Sequence, residues 1–124
     1  MPTKKLPPRP QENFWITSLK SQLSIEATHR RAGFSPIPEV VIRRRFWQYL
    51  RFLAAVGYLR SSVPEDPSAL SHTAELRNFD LSDDGYRFVQ LYGDRWVGRM
   101  YKDKGLEGEQ KFLDKWHAQF QSTQ

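Results

Sequence analysis

The sequence predicts a mainly α-helical protein with a small two-stranded β-sheet. Apolar residues recur at helical spacing in four stretches, which begin near residues 12, 39, 83 and 106. Two short β-prone segments, 58–61 and 76–81, flank a loop that contains Pro64 and Pro67. With 124 residues, of which 39% are hydrophobic and four are Trp, the chain is long enough for one domain with its own core.

Composition narrows the class of protein. The chain is basic, with a net charge of +5, and the charge is uneven: residues 1–60 hold 11 Lys/Arg and 3 Asp/Glu, whereas residues 61–124 hold 8 and 11. Such asymmetry favours a polyanionic partner. The chain has no Cys, which excludes disulfides and thiolate chemistry. Neither a signal peptide nor an apolar run of about 20 residues is present, so we expect a cytoplasmic protein with no membrane contact.

The N-terminal part is expected to be an arm followed by a helix. Residues 1–11, which include four Pro and three Lys/Arg, predict a flexible basic arm that either follows a phosphate backbone or is a solvated tail. Apolar residues at helical spacing over 12–32 predict one helix, or two that break near Ser24. At its end, Arg30 and Arg31 either stabilise the helix dipole or contact phosphate, and Gly33 closes the segment.

The central stretch, residues 35–60, is typical of one helix with two different faces. At 100° per residue, the apolar side chains fall on one side: Ile42, Phe46, Tyr49, Leu50, Leu53 and Val56. The opposite side carries Arg43, Arg44, Trp47, Gln48 and Arg51. The helix is expected to span residues 39–56, with Ser35 accepting from the free amides at its start and Gly57 ending it. The apolar side is suited to packing in a protein core, and the opposite side is suited to binding an anion.

The second half of the sequence predicts a β-hairpin with a long loop and two more helices. The segments 58–61 and 76–81 are expected to pair around the loop, and Ser82 caps a helix that has Asp83 and Asp84 in its first turn. A last helix is expected from residue 106 or 109 to 121. We therefore expect residues 12–101 to form one domain and residues 102–124 to add a C-terminal helix.

Catalytic motifs are missing from the sequence. His29, His72 and His117 are scattered and form no HExxH or HxH pair, and there is no GxSxG motif or glycine-rich phosphate loop. The adjacent Asp83 and Asp84 are better explained as a helix start than as an acid and a base. The sequence therefore predicts no enzyme, no metal site and no cofactor.

The basic side of the central helix is the strongest functional signal. Four arginines lie within nine positions, and their guanidinium groups are expected to project into water: Arg43, Arg44, Arg45 and Arg51. Guanidinium groups bind phosphate or the edge of guanine bidentately, and Gln48 can pair with adenine. Trp47 can stack on a base or sugar, cover a protein partner, or be partly buried against the N-terminal arm or the first helix. The alternative interpretation is a solvated helix face whose arginines pair with carboxylates.

Two short segments, residues 54–60 (Ala-Ala-Val-Gly-Tyr-Leu-Arg) and 78–85 (Asn-Phe-Asp-Leu-Ser-Asp-Asp-Gly), follow a known pattern. In this respect the chain resembles winged-helix transcription regulators of the MarR and PadR kind over roughly residues 12–92. In those families a glycine-containing segment ends the recognition helix, and a two-stranded wing leads into the next helix. Here the wing is long and acidic, and no separate second helix is predicted between residues 29 and 35. Residues 33–35 are also similar to the turn of AraC-type helix-turn-helix units.

The resemblance implies a winged helix-turn-helix fold whose central helix enters the major groove with its first half. The side chains that it implies near bases are Arg43, Arg44, Trp47 and Gln48, and those near phosphates are Arg60 and Arg77. It also implies a homodimer that pairs through the C-terminal helices.

The predicted function is double-stranded DNA binding by a transcription regulator. The predicted contact residues are Arg43, Arg44, Trp47, Gln48, Arg51, Arg30, Arg31, Arg60 and Arg77. The alternatives are a winged-helix adaptor that binds protein in a larger assembly, and an RNA or single-strand binder that stacks bases on Trp47.

Overall fold

A computed structural model describes residues 8–100 and 105–123. The elements, in chain order, are β1 (Trp15–Ser18), α1 (Leu19–Arg31), α2 (Glu39–Ala55), β2 (Glu75–Arg77), α3 (Asp83–Gly98) and α4 (Gly105–Ser122). Short 3-10 turns lie at Pro67–Ala69 and Asn78–Asp80. The structure is thus mainly helical with a two-stranded antiparallel sheet, as expected. Within the described residues, no helix is long and apolar enough to cross a membrane.

Helix α2 lies at the centre of the fold and matches its predicted range closely. Its apolar side packs into the core through Ile42, Phe46, Tyr49, Phe52 and Leu53, each at most 3% exposed. Gly57 follows the helix with φ +82°, a conformation that favours glycine, as predicted for a C-terminal glycine. The start differs, because Pro38 is the N-cap and no side chain caps the helix, so Ser35 does not perform this role.

The predicted N-terminal helix is wrong in its first part, where Trp15–Ser18 forms strand β1. Helix α1 begins only at Leu19, since Ser18 caps it: the Ser18 hydroxyl accepts from the Ser21 amide at 3.0 Å. The Leu19 amide donates to the Ala74 carbonyl at 2.9 Å, which ties this point to the segment before β2. Trp, Ile and Thr fit a strand well, so the apolar spacing over these four residues did not distinguish the two structures. Helix α1 does not break near Ser24.

The predicted pairing of 58–61 with 76–81 is present only as a single bridge, between Leu59 and Leu81. Backbone hydrogen bonds on either side reinforce it, from the Arg60 amide to Asp80 O (2.7 Å) and from the Ser82 amide to Tyr58 O (3.0 Å). The regular sheet instead pairs β2 with β1. Strand β2 ends at residue 77, and a 3-10 turn begins at the buried Asn78, whose backbone amide donates to Phe14 O and whose side-chain amide donates to the carbonyls of residues 10 and 12.

The helices after the wing are confirmed, and their aromatic sides face the chain's own core. The Ser82 hydroxyl caps α3 by accepting from the Gly85 amide at 3.1 Å. Gly85 lies so close to the wing that an added Cβ would be 2.5 Å from Tyr58 O. The aromatic stripe that the sequence suggested for dimer formation is buried within one chain, where Phe88 lies 5.6 Å from Phe120 between ring centroids.

The N-terminal arm differs from the expectation of a flexible tail where the structure describes it. The Arg9 guanidinium donates to Asn78 Oδ1 (2.8 Å), Asp83 Oδ1 (2.9 Å) and Leu81 O (2.7 Å), and it lies 5.4 Å from the centroid of Tyr86. This arginine fastens the arm to the start of α3. Residues 1–7 of the arm, and the expected boundary at residues 101 and 102, lie outside the described residues.

Candidate nucleic-acid interface

Helix α2 leaves one narrow stripe of its surface accessible. The stripe, called here the exposed α2 stripe, consists of Val40, Arg44, Trp47 and Arg51, which follow one another every three or four residues. Val40 is 71% exposed, Arg51 is exposed, and Arg44 and Trp47 are half-buried. Both sides of the stripe are bordered by other segments, so the accessible surface is narrower than the sequence suggested.

One border is formed by the loop after the wing's first segment. Arg43 donates to the Leu70 carbonyl and lies 3.0 Å from His72 Nδ1. Neither partner is a carboxylate, so Arg43 keeps its net charge at the edge of the stripe. The Trp47 indole donates to Pro64 O at 2.7 Å, which fixes the ring against the same loop.

The face of the Trp47 ring is also occupied. The Arg51 guanidinium carbon lies 5.4 Å from the ring centroid, which is within cation–π range. Partial burial and this cation leave Trp47 poorly placed to stack on a base. Of the roles left open for Trp47, the structure thus provides partial burial, against the loop that contains Pro64 rather than against the N-terminal arm or the first helix.

Gln48 was expected on the solvent side, and this is wrong. Gln48 is only 6% exposed, and its Nε2 donates to the Leu106 carbonyl at the start of α4 at 2.6 Å. The helical wheel places Gln48 beside Arg44 correctly, but it cannot show that α4 packs against this side. The start of α4 therefore forms the second border of the stripe.

Arg45 is a second correction, because its guanidinium does not project into water. Arg45 is 2% exposed, its Nη2 donates to Trp96 O at 2.8 Å, and its guanidinium carbon lies 5.0 Å from the centroid of the Trp96 ring. It belongs to the interior between α2 and α3. Three consecutive arginines therefore have three environments: Arg43 against the loop, Arg44 in the stripe and Arg45 in the core.

The turn between α1 and α2 adds cations at the beginning of the stripe. Arg30 and Arg31 are exposed, as are residues 32–36 and 38–40. Arg30 lies 3.8 Å from the buried carboxylate of Glu26, which neutralises part of its charge, whereas Arg31 only reaches the Thr28 hydroxyl at 3.5 Å. No separate second helix forms in this turn, which the structure describes completely, so this departure from the winged-helix pattern stands.

The two arginines predicted near phosphates differ from each other. Arg60 is exposed, and no residue of the described ranges forms an ion pair with it. Arg77 instead pairs with Glu75 at 2.9 Å. The loop tip is a poor phosphate binder, since the Ser68 hydroxyl and amide donate to Asp66 and hold the pKa of that carboxyl below its usual value.

Two exposed apolar side chains had no predicted role: Val40 in the stripe and Phe34 in the turn, which is 56% exposed. The signal was weak, because Phe34 is a single apolar residue next to Gly33 and Val40 lies outside the apolar side of α2. In residues 8–100 and 105–123, no group of three or more His, Cys, Asp or Glu could hold a metal ion.

Comparison of the chain with protein-family models, with curated proteins and with solved structures gives no match in any of the three.

Proposed function

We propose that the protein is a cytoplasmic, double-stranded DNA-binding regulator of the winged-helix kind, which contacts DNA through the exposed α2 stripe. The observation that carries this proposal is the position of the cations on α2. Arg44 and Arg51 remain partly or fully accessible on one line of the helix, and Arg43 borders them with partners that are not carboxylates. No other helix in the described ranges combines three arginines that are at least partly accessible with an exposed first turn.

The order of the elements supports the winged-helix assignment. A helix, a short turn and a second helix are followed by two segments that meet at the Leu59–Leu81 bridge, and the chain then enters a capped helix. In this arrangement the first half of α2 points to the major groove and the loop of residues 61–74 is the wing. Its acidic tip at Glu65 and Asp66 would be directed away from phosphate.

The chemistry of the stripe matches the requirements of duplex binding. Guanidinium groups bind phosphate oxygens or the O6 and N7 atoms of guanine, and an exposed valine can contact the methyl group of thymine. Arg31 and Arg60 would contact the phosphates on either side. Gln48 and Arg45 do not contribute, because both are buried.

Two double variants test the proposal. The first, Arg44→Gln with Arg51→Gln, removes two charges from the stripe, and the control, Arg87→Gln with Arg95→Gln, removes the same charge from exposed positions on α3. Binding of a labelled random-sequence duplex is measured by fluorescence anisotropy over a range of salt concentrations. The stripe variant should bind about tenfold more weakly, and the slope of log K against log salt should fall by about two.

The control should bind as the unaltered protein does. Equal losses in both variants would show that only total charge matters and would reject the stripe as the interface. A wild-type protein that does not bind the duplex at low salt would reject the function itself.

A protein-interaction adaptor is the second candidate, and the exposed apolar residues favour it. Phe34, Val40 and Leu106 are 45% to 71% exposed, which suits a protein surface. The RNA or single-strand alternative has less support, because Arg51 lies over the Trp47 ring. A single-stranded DNA and an RNA of the same sequence in the anisotropy assay would separate these alternatives.

The homodimer stays a prediction with reduced support. The aromatic residues of α3 and α4 that were expected to pair two chains are used within one chain. Sedimentation equilibrium over a range of protein concentrations would decide between monomer and dimer.

A further inference from the structure

The first turn of α2 is the most accessible part of the exposed α2 stripe. Residues 38–40 are all exposed, and Val40, at 71%, is the most exposed large apolar residue of the described ranges. From position 43 onward, the loop of residues 61–74 lies beside the stripe, and α4 lies beside Gln48. A helix with its side chains is about 10–12 Å wide and the major groove of DNA about 12 Å, so a flanked helix cannot enter along its whole length. The first turn is therefore the part of α2 that can approach base edges.

The charges around this turn suit base edges better than the phosphate backbone. Residues 32–40 contain no Lys or Arg, and their one charged residue is Glu39, which is exposed. A carboxylate is repelled by phosphate, but it can accept from the amino group of cytosine in the major groove. The cations lie on either side of the turn, with Arg31 before it and Arg43 and Arg44 after it. Phosphate contacts at the two ends would thus leave the turn itself facing the bases.

Val40 and Arg44 have a fixed spacing along this end of the helix. They lie four residues apart on one line of α2, which places them about 6 Å apart along the helix axis. Neighbouring bases of one strand are about 3.4 Å apart, so the two side chains can contact base pairs that are one or two steps apart. The valine side chain has no hydrogen-bonding group, and the apolar group that the major groove displays is the C5-methyl of a pyrimidine.

We infer that Val40 contacts the C5-methyl group of a pyrimidine and that Arg44 contacts a guanine one or two base pairs away, an inference that rests on the DNA-binding function proposed above. The methyl group can belong to thymine or to 5-methylcytosine, which carry it at the same position. Because the contact removes apolar surface from water on both sides, the methyl group should strengthen binding about threefold.

Replacing thymidine by deoxyuridine tests the methyl group alone, because the two nucleotides otherwise present the same groups. The first duplex has alternating thymidine and deoxyguanosine on one strand, so every register offers a methyl group beside a guanine. The second duplex has deoxyuridine at each thymidine position. Fluorescence anisotropy at low salt gives both dissociation constants, and the thymidine duplex should bind about threefold more tightly.

A second pair of duplexes distinguishes the two sources of the methyl group. It consists of alternating cytidine and deoxyguanosine, with and without methylation at cytosine C5. A preference in both pairs assigns Val40 to the methyl group on either base. A preference in the thymidine pair alone assigns it to thymine, and a preference in the cytidine pair alone assigns it to 5-methylcytosine.

Two variants assign the preference to Val40. Val40→Ser removes the apolar contact, so the ratio of the two dissociation constants in a preferred pair should fall to about one. Leu91→Ser makes the corresponding change at an apolar residue of α3 that is 45% exposed and lies outside the stripe, and it should keep the ratio of the unaltered protein. Circular dichroism checks that both variants are folded at the temperature of the assay.

A base analogue tests the contact of Arg44. In 7-deazaguanine a carbon replaces the N7 acceptor that a guanidinium can contact. Placed at every guanine of the thymidine duplex, it should weaken binding by the unaltered protein at least threefold. Arg44→Ala should bind both forms of the duplex with similar affinity.

The inference is overturned if neither pair of duplexes shows a preference for the methylated member. It is equally overturned if Val40→Ser keeps the preference, if Leu91→Ser loses it, or if Arg44→Ala still distinguishes guanine from 7-deazaguanine. In each of these cases DNA is still bound, so the DNA-binding proposal stands. If the unaltered protein binds none of the duplexes at low salt, the DNA-binding proposal is rejected and this inference with it.

Discussion

The burial of Arg45 makes a strong prediction, because the same residue type on the same helix has opposite environments at positions 45 and 51. Arg45→Ala removes a charged donor from the buried Trp96 carbonyl, at 2.8 Å, and a cation from the Trp96 ring. A hydrogen bond from a charged group contributes about 1.5–3 kcal/mol, and a desolvated cation–π contact contributes about 2 kcal/mol. Removing the charge also releases part of its desolvation penalty, so we expect a net loss of about 3 kcal/mol.

For a chain of this size, a loss of about 3 kcal/mol corresponds to a fall in melting temperature of roughly 10 °C. Arg51→Ala is the matched control, since Arg51 is exposed and its contact with Trp47 contributes about 0.5–1 kcal/mol at most. Urea unfolding and thermal unfolding, followed by circular dichroism, would measure both variants. DNA binding, measured well below both melting temperatures, should be weakened by Arg51→Ala and not by Arg45→Ala.

The reasoning is refuted if Arg45→Ala unfolds at the same urea concentration as the unaltered protein. It is also refuted if Arg51→Ala loses as much stability as Arg45→Ala. Either result would mean that α2 is rotated about its axis relative to the arrangement described above.

Two further predictions concern stability. Gly85→Ala should destabilise the protein by roughly 2 kcal/mol, because the new Cβ would be 2.5 Å from the Tyr58 carbonyl. Gly93→Ala should instead stabilise the protein by up to about 1 kcal/mol. Equal effects of the two substitutions in urea unfolding would contradict the close packing at Gly85 and the open space at Gly93. Burial raises the pKa of Tyr49 above its ordinary value, and burial with the Asp84 charge raises that of Tyr58. The contribution of these two tyrosines to the free energy of unfolding is complete below a pKa of about 10, the value for tyrosine in the unfolded chain, and it is lost as the pH rises above that value. Tyr49→Phe should therefore reduce the loss of stability at alkaline pH by up to about 1.4 kcal/mol per pH unit. Unfolding curves at neutral and alkaline pH, with Tyr86→Phe as a control, would show no such difference if Tyr49 were accessible.

Local signals in the sequence predicted two of the element ends correctly. Gly57 and Ser82 mark the end of α2 and the start of α3 because a positive φ and a capping hydroxyl depend only on neighbouring residues. The spacing of apolar residues likewise identified the core side of α2. These features do not depend on which other segment packs nearby.

Features that depend on distant partners were not predictable in this way. Strand β1 exists because residues 75–77 lie beside it, and its own four residues have a pattern that also fits a helix. Gln48 is buried because α4, nearly 60 residues later, packs against it. For the candidate site, the sequence therefore identified most of the accessible cations of α2, but it overestimated the width of the basic face.

That reduced width has a consequence for how the protein would recognise DNA. From position 43 onward, the loop of residues 61–74 borders the stripe on one side, and the start of α4 borders it at Gln48, so on the first half of α2 the accessible side chains of the stripe are Val40 and Arg44. Two side chains can distinguish only a few base pairs, and each good contact contributes about 1–3 kcal/mol of discrimination. Phosphate contacts, which carry no sequence information, would then supply most of the affinity. A protein built in this way should bind duplexes of different sequence with similar, strongly salt-dependent affinities, unless a second chain adds a second set of base contacts.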